Sequence, residues 1–537
     1  MKFLFLKKNT LLDKENKFVN LSTQGVFDKY FSEKKIKLLK TSKLKNILDN
    51  YNYTINDHLK FISKSLKNNE IYELISYMTF SKLVVSDDLI NKFWVLSNIE
   101  FYKNHNVTIL LDDKVVYNHY SSIKNYNSIF PSKIIYKFIL YFFKLVFSLF
   151  HTKMKIKNDF NFFVGNVFVE DRVIDKNYYE YFFSKYWKKH SNSKLLLINN
   201  SPIKNCFYKS NQIFFKENLV KFKDLLKVLL MSIRHFYDPI QVNEKNIYDT
   251  FINYNLKKDS KSSSFLDAYI NVPIFKNLSK KISNKKGQII IPHEGRVYEK
   301  IIYKIFQDFK NVQVTGYCHF PLSEKIQNLN FSPLHKIVYN KYKIYTLGEI
   351  NFNILTKNFN WPIEFIKIGA HLKKNPLSNT KIINVKDDYL VLLGMEFIPN
   401  IKLLNYIKTN IITHKKIIVR AHPSVINKYK IQSLCRKFNF EFSKNKKLSD
   451  DLSTSNVLFY GDTGAVVECL IDNISLNYIS DDVFLDSDRL NNHNFIHNRL
   501  SVSKSYNDKF FQDSVKNYKF LNKIYISKTN PSDFEFK

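Results

Sequence analysis

Three short stretches of this 537-residue chain combine residue types that can move protons or hold a phosphate. In GQIIIPHEGRVYEKIIYKIF an apolar run ends at Pro292, His293, Glu294 and Gly295 follow, and a helical pattern opens with Arg296 and Glu299. A carboxylate at a strand end can face a ligand as a base, and Gly295 permits close approach or a left-handed backbone. Glu299, in the first helical turn, reads as a partner of the helix dipole rather than as a second acid. In KKIIVRAHPSV the strand ends on Arg420, His422 and Pro423 instead of the usual Gly, Asn or Asp. Pro423 stops the strand, and the imidazole of His422 can donate to a phosphate or protonate a leaving oxygen. A lone rim histidine bonded to a backbone carbonyl accounts for the same residue.

The third stretch is NVLFYGDTGAVVECL, an apolar run followed by Gly461, Asp462, Thr463 and Gly464 and then a helical pattern containing Glu468. Asp462 or Thr463 is predicted as the helix N-cap, so that backbone N–H groups and the helix dipole form an anion cradle. The Thr463 hydroxyl adds a donor, and Glu468 can reach ribose hydroxyls or support the helix start. An ordinary capped turn explains Asp462 alone but not the whole spacing. GYCHFPLS supplies a further rim residue, His319.

These residues need elements that bring them to one edge. From about Asn158 short apolar runs alternate with helical stretches, at 160–168, 194–199, 287–292, 311–316, 342–346 and 364–369, and again at 388–394, 415–420, 440–442, 456–461 and 475–480. Continuous apolar strands separated by helices predict parallel sheets covered on both faces, whose carboxyl ends bind ligands. The expected class is therefore α/β, with two doubly wound Rossmann-like domains facing a cleft. We expect domains at 151–375 and 376–505, joined by a polar linker at 371–388. An N-terminal mixed α/β region, 1–150, precedes them with strands at the N-terminus and in NVTILLDD, and a C-terminal helix and tail, 506–537, follows.

Composition narrows the partners. The formal net charge is +35, yet seven of 83 basic residues are Arg, whose planar fork reads bases and phosphates, so nucleic acid is not expected. Anionic small substrates and anionic membrane surfaces fit the charge better. The four cysteines form no C-x-x-C pair, which argues against a zinc ribbon or disulfide framework and for a reducing compartment. The N-terminal apolar stretch is too short for a signal-peptide core, so a cytoplasmic location is expected. The paired acids Asp112-Asp113, Asp387-Asp388, Asp450-Asp451 and Asp481-Asp482 read as solvated turns, and no metal is expected.

Ile134 to His151, IIYKFILYFFKLVFSLFH, is apolar but too short and too charged to span a membrane. As a helix it places Lys137 and Lys144 on one face with aromatics around the rest, which fits either an interfacial helix making peripheral membrane contact or an aromatic core helix. In the interfacial reading the two lysines meet anionic headgroups.

An E-G pair after a strand, an H-P pair after a later strand and a Thr-bearing strand-to-helix turn together resemble the motifs of bacterial GT-B glycosyltransferases that use CMP-activated sugars, the sialyltransferases and capsule polymerases. The resemblance implies Glu294 as base, His422 as phosphate ligand or acid and Thr463 as phosphate ligand. FFVGNVFVEDRVIDKNYYEYFFSKYW, PHEGRVYEK, GYCHF, YTLGEINFNILTKNFNWP, FIKIGAHL and GDTGAVVECL are similar to a bacterial family of surface carbohydrate biosynthesis proteins over about 155–480. Tyr298, Cys318-His319 and Asp462-Thr463-Gly464 depart from its pattern. What the resemblance implies is transfer from a nucleotide-activated sugar to a glycan or lipid-linked glycan acceptor, in polysaccharide or lipopolysaccharide synthesis, without a cofactor. A nucleotide-sugar epimerase on the same scaffold and a non-catalytic membrane-surface protein of an assembly machine are the alternatives.

Overall fold

The computed structural model describes residues 2–5, 18–20, 74, 78, 99, 108–111, 132–148, 154–165, 183, 192–198, 210–238, 247–320, 322, 329, 342–369, 388–395, 397–411, 414–423, 425, 427–445, 448–469, 475–480 and 498–501. The linker at 371–387, the tail from Ser505 and the pairs Asp112-Asp113 and Asp481-Asp482 lie outside the described residues, as does Asp387. Near the N-terminus β1 (Lys2–Phe5), β2 (Phe18–Asn20) and β3 (Thr108–Leu111) form a parallel sheet ordered β1-β3-β2. The expected strands at the N-terminus and in NVTILLDD are two of these three. The chain divides into two compact units, one including Phe130–Lys381 and the other Ile382–Lys516.

In the first unit, helix α1 (Ser132–Ser148) precedes β4 (Phe160–Gly165), β5 (Ser193–Leu197) and β6 (Ile213–Phe215). Four helices follow, α2 (Phe222–Tyr237), α3 (Ile247–Ser260), α4 (Ser263–Tyr269) and α5 (Asn271–Ile282). Next come β7 (Gly287–Pro292), α6 (Val297–Phe306), β8 (Val312–Cys318), β9 (Tyr342–Thr346), α7 (Glu349–Asn353) and β10 (Ile366–Ile368). All neighbouring pairs are parallel, in the order β10-β9-β8-β7-β4-β5-β6. Counted within the unit this is 7-6-5-4-1-2-3, a doubly wound sheet whose direction of travel reverses between β4 and β7. GQIIIP is buried at every position because helices cover both faces of a central parallel strand. Pro292 fits there because the β4 ladder has already ended at Ile290, so its missing N–H breaks no bond on that side.

The second unit holds β11 (Asp388–Leu392), α8 (Phe397–Asn410), β12 (Ile417–Arg420), α9 (Lys428–Phe438), β13 (Glu441–Phe442), α10 (Leu448–Leu452), β14 (Ser455–Tyr460), α11 (Val466–Cys469), β15 (Ser475–Ser480) and β16 (Asn498–Ser501). Its sheet, also wholly parallel, runs β13-β12-β11-β14-β15-β16, or 3-2-1-4-5-6 within the unit, with the reversal between β11 and β14. Val391, Val419, Val457 and Phe459 of the strands pack with Leu404 and Ile407 of α8 and Ile431 and Cys435 of α9 in one buried cluster. Helix α9 stops at Asn439, which takes a left-handed conformation (φ 59°) while the Phe440 N–H donates to the Cys435 carbonyl.

Two sequence expectations are corrected here. The lysines of α1 do not face outward: Lys137 forms an ion pair with Asp267 of α4, and Lys144 is buried. Asp451 is not a solvated turn residue but is fully enclosed, accepting from Arg420, Ser443 and Asn445. The cost of taking this carboxylate out of water is offset by those three partners, the Arg420 guanidinium among them.

Candidate active site

The polar residues of the first unit gather at the carboxyl end of β7, its fourth strand, next to the reversal point. Gly295 takes φ 73°, a left-handed conformation that turns the chain from β7 into α6. The turn is fixed from within the helix: the Glu299 carboxylate accepts the N–H of Glu294 at 3.0 Å and of Gly295 at 2.8 Å. Glu299 is the third residue of α6 and satisfies N–H groups that precede the helix, a variant of the capping box. It is fully buried, and burial, with the charge of Glu294 next in size, pushes its carboxyl well above the usual range.

The structure brings Glu294, Arg296 and His319 together. Glu294, 6% exposed, forms an ion pair with the Arg296 guanidinium through Oε2, while its Oε1 lies 3.6 Å from Nε2 of His319, just past the end of β8. His293 is not part of this group. Its Nδ1 lies 3.3 Å from the Tyr303 hydroxyl and its ring meets Trp361 edge to face at 5.2 Å. Burial, and then the charge of Lys300, lowers its pKa to about 3, so its imidazole is neutral at pH 7. Asn351 of α7 was not anticipated as a site residue. It clamps the loop after His319, with Oδ1 accepting the Leu322 N–H at 2.9 Å and Nδ2 donating to the Phe320 carbonyl at 2.8 Å.

In the second unit β12 delivers Arg420, His422 and Pro423 to the carboxyl rim. The His422 carbonyl accepts the Val425 N–H at 3.0 Å, closing a turn with Pro423 at its second position and exposed. His422 is half-buried. Arg420 turns away from the rim, donating to Asp451 at 2.6 Å and to the Asn445 carbonyl at 3.1 Å.

The turn after β14, again the fourth strand of its sheet, holds Gly461, Asp462 and Gly464 half-buried and Thr463 buried. The Thr463 N–H donates to the Gly461 carbonyl at 2.9 Å, and the Thr463 hydroxyl accepts the Ala465 N–H at 3.3 Å. Helix α11 begins at Val466, so Asp462 and Thr463 lie before the N-cap position expected for them. The reason is local: the hydroxyl of Thr463 spends itself on an N–H two residues on and makes a turn of its own. Glu468 lies within α11, whose described part is only four residues long.

A residue that the sequence reading passed over completes this turn. Gly394, just past β11, sits so close to the Asp462 carbonyl that a Cβ would lie 2.5 Å from its oxygen. Asn400 of α8 holds Gly394 in place, accepting its N–H and donating to its carbonyl, both at 2.9 Å. The signal was an LLG run ending at a rim, too common to single out. Among the described residues no group of three or more His, Cys, Asp or Glu side chains is placed to hold a metal ion.

The arrangement provides a buried carboxylate flanked by a guanidinium and an imidazole in one unit, and a histidine and a hydroxyl-bearing glycine turn in the other. No family model and no curated protein matches the chain. Among solved structures it is similar to a glycosyltransferase from Rickettsia africae ESF-5, at 10% identity and a TM-score of 0.34, covering 68% of this chain and 88% of that one. It is also similar to the wall teichoic acid polymerase TagF, at 11% identity and a TM-score of 0.38 over 75% of this chain and 94% of that one. A third likeness is to the glycosyltransferase SnogD from Streptomyces nogalater, at 6% identity and a TM-score of 0.38 over 68% of this chain and 96% of that one. The two doubly wound parallel sheets of this chain are established by their strand order.

Proposed function

We propose that the protein is a GT-B-type glycosyltransferase that moves a sugar from a nucleotide-activated donor, CMP-linked in the reading the motifs favour, to a glycan or lipid-linked glycan of a bacterial surface polysaccharide. The observation that carries this reading is the placement of Glu294: a carboxylate at the ligand edge of a doubly wound sheet, on a turn held by Glu299, with Arg296 and His319 against its two oxygens. Glu294 takes the proton of the acceptor hydroxyl as that oxygen bonds to the anomeric carbon, and the bond from that carbon to the donor phosphate breaks. His422 and the Thr463 turn receive the charge on the departing nucleotide phosphate, so the reaction needs no metal. Arg296 releases its ion pair to a substrate oxygen when the acceptor binds, which frees Glu294 to act.

Titration calorimetry with CMP, CDP, UDP and GDP tests the donor site, and binding of none of them refutes it. Incubation with the bound nucleotide's sugars, with and without acceptor glycans, tests the reaction. Glu294→Gln is expected to lower turnover by about 100-fold or more with nucleotide affinity unchanged. Isomerised sugar without transfer would instead identify an epimerase.

A further inference from the structure

The outward faces of α1 and α2 form a single apolar surface with a cationic margin. On α1, Ile135, Ile139, Phe142, Phe143 and Val146 are exposed and recur at helical spacing. On α2, Phe222, Leu226 and Leu230 form an exposed row four residues apart. Phe142 meets Phe222 edge to face, with centroids 5.8 Å apart, and joins the two rows.

A helix at a water surface ordinarily turns its polar side outward. Here α1 does the reverse. Lys137 pairs with Asp267, the Tyr141 hydroxyl donates to Asp267 Oδ1 at 2.8 Å, Lys216 donates to the Tyr141 hydroxyl at 2.7 Å, and Lys144 is buried. The exposed charges along the two helices are positive, and an exposed acid, Asp238, stands just past the end of α2. Lys133 on α1 and Lys223, Lys227 and Arg234 on α2 are exposed. Helix α1 contains no acid, and the one acid of α2, Asp224, accepts from the Lys221 N–H at 3.2 Å and the Asn277 amide at 2.9 Å. Lys223 and Lys227 each follow an exposed apolar residue, Phe222 and Leu226, and stand about 100° round the helix from it, on the flank of the apolar row.

We propose that this two-helix face seats the protein on an anionic lipid bilayer, with the aromatic and aliphatic rows in the acyl boundary and Lys133, Lys223, Lys227 and Arg234 at the headgroups. A water-facing role would leave a contiguous apolar surface hydrated, and the predominantly positive margin matches anionic headgroups. No helix among the described residues is long and apolar enough to cross a membrane, so the contact is one of lying on the surface. It differs from the sequence expectation in its chemistry: the cations that meet lipid are chiefly those of α2, while Lys137 and Lys144 anchor α1 from beneath.

The test is flotation of the full chain with vesicles of phosphatidylcholine alone or with phosphatidylglycerol, at low and high salt, and it needs no sugar substrate. Binding is expected to vesicles containing phosphatidylglycerol and to weaken severalfold as salt rises. The pair Phe143→Glu with Leu226→Glu is expected to lower the bound fraction about tenfold or more, and Lys223→Gln with Lys227→Gln severalfold. Circular dichroism melts, run in parallel, establish that the variants fold, and the glutamine pair alters only exposed side chains. Equal absence from both vesicle types overturns the proposal. So does self-association in lipid-free sedimentation velocity that the glutamate pair abolishes without changing flotation, which would assign the face to a second copy of the chain.

Discussion

Oε2 of Glu299 accepts the N–H of Gly295 at 2.8 Å, so a residue inside helix α6 holds the backbone that carries Glu294. The position of the carboxylate at the rim therefore depends on a second one that lies fully buried. Glu299→Ala leaves two buried N–H groups without an acceptor, a cost of about 1–3 kcal/mol for each. The expected outcome is a lower urea midpoint and, in the proposed reaction, a fall in kcat with little change in nucleotide affinity. Glu299→Gln retains one acceptor oxygen and is expected to restore most of the stability.

Arg420 tests whether a rim cation serves the ligand or the fold. Its guanidinium is joined to Asp451, whose side chain is 0% exposed. Arg420→Met removes the main partner of a buried carboxylate, and a stability loss on the order of 3 kcal/mol is expected. Nucleotide affinity, measured by calorimetry below the melting transition, is expected to change less than about threefold. A large affinity loss in a variant of normal stability would return Arg420 to the phosphate site.

Gly394→Ala introduces a methyl group that would stand 2.5 Å from the Asp462 carbonyl oxygen, and backbone lies on both sides of that contact. The turn after β14 has to move. Weaker nucleotide binding by about tenfold, together with a destabilisation of about 1–3 kcal/mol, is expected from a forced overlap of this kind. Asn400→Asp, which keeps the acceptor for the Gly394 N–H but loses the donor to its carbonyl, should produce a smaller shift in the same direction.

Two buried lysines give stability a dependence on alkaline pH. Burial lowers Lys216 from 10.5 to about 8, offset in part by Glu217 and Asp267, and lowers Lys300 to about 8, offset by Glu299. Both folded-state values lie below the unfolded ones, so the folded protein gives up these protons first as pH rises. Stability is expected to increase between about pH 8 and 9, by about 1 kcal/mol per pH unit for each group, and to fall back as pH drops through 8; above about 9 the thiols of Cys318 and Cys435, whose pKa burial raises, oppose the gain. Urea midpoints at pH 7.5, 9 and 10 measure this. Lys216→Met is expected to remove roughly half of the slope.

Strands with strong apolar character were legible in the sequence. GQIIIP, YKIYT and SLNYIS match β7, β9 and β15 residue for residue, and in β7 continuous burial on both faces leaves a run of large apolar side chains. The edge strands β6 and β16 were not, because IFF is short and NRLS is mostly polar, as edges often are. The rim positions of Glu294, His319 and His422 were legible because each follows an apolar strand. Asn351 and Asn400 were not, because an asparagine that clamps a backbone across space leaves no periodic trace. The inward turn of Lys137 depended on Asp267, 130 positions away, which no local pattern contains.

The shared strand order has a consequence for folding. In each unit the first three strands and the later ones can form from neighbouring segments, but the pairings that join them, β4 with β7 and β11 with β14, close the longest loops. Phe160 meets Gly287 only after the described helices α2 to α5 have been traversed. Those same pairings create the edges on which Glu294 and the Gly461–Gly464 turn stand, so a chain arrested before final closure carries most of its helices and neither constellation. Refolding followed by far-ultraviolet dichroism should thus run ahead of recovered nucleotide binding, and the interval between the two signals is the time taken to close the sheets.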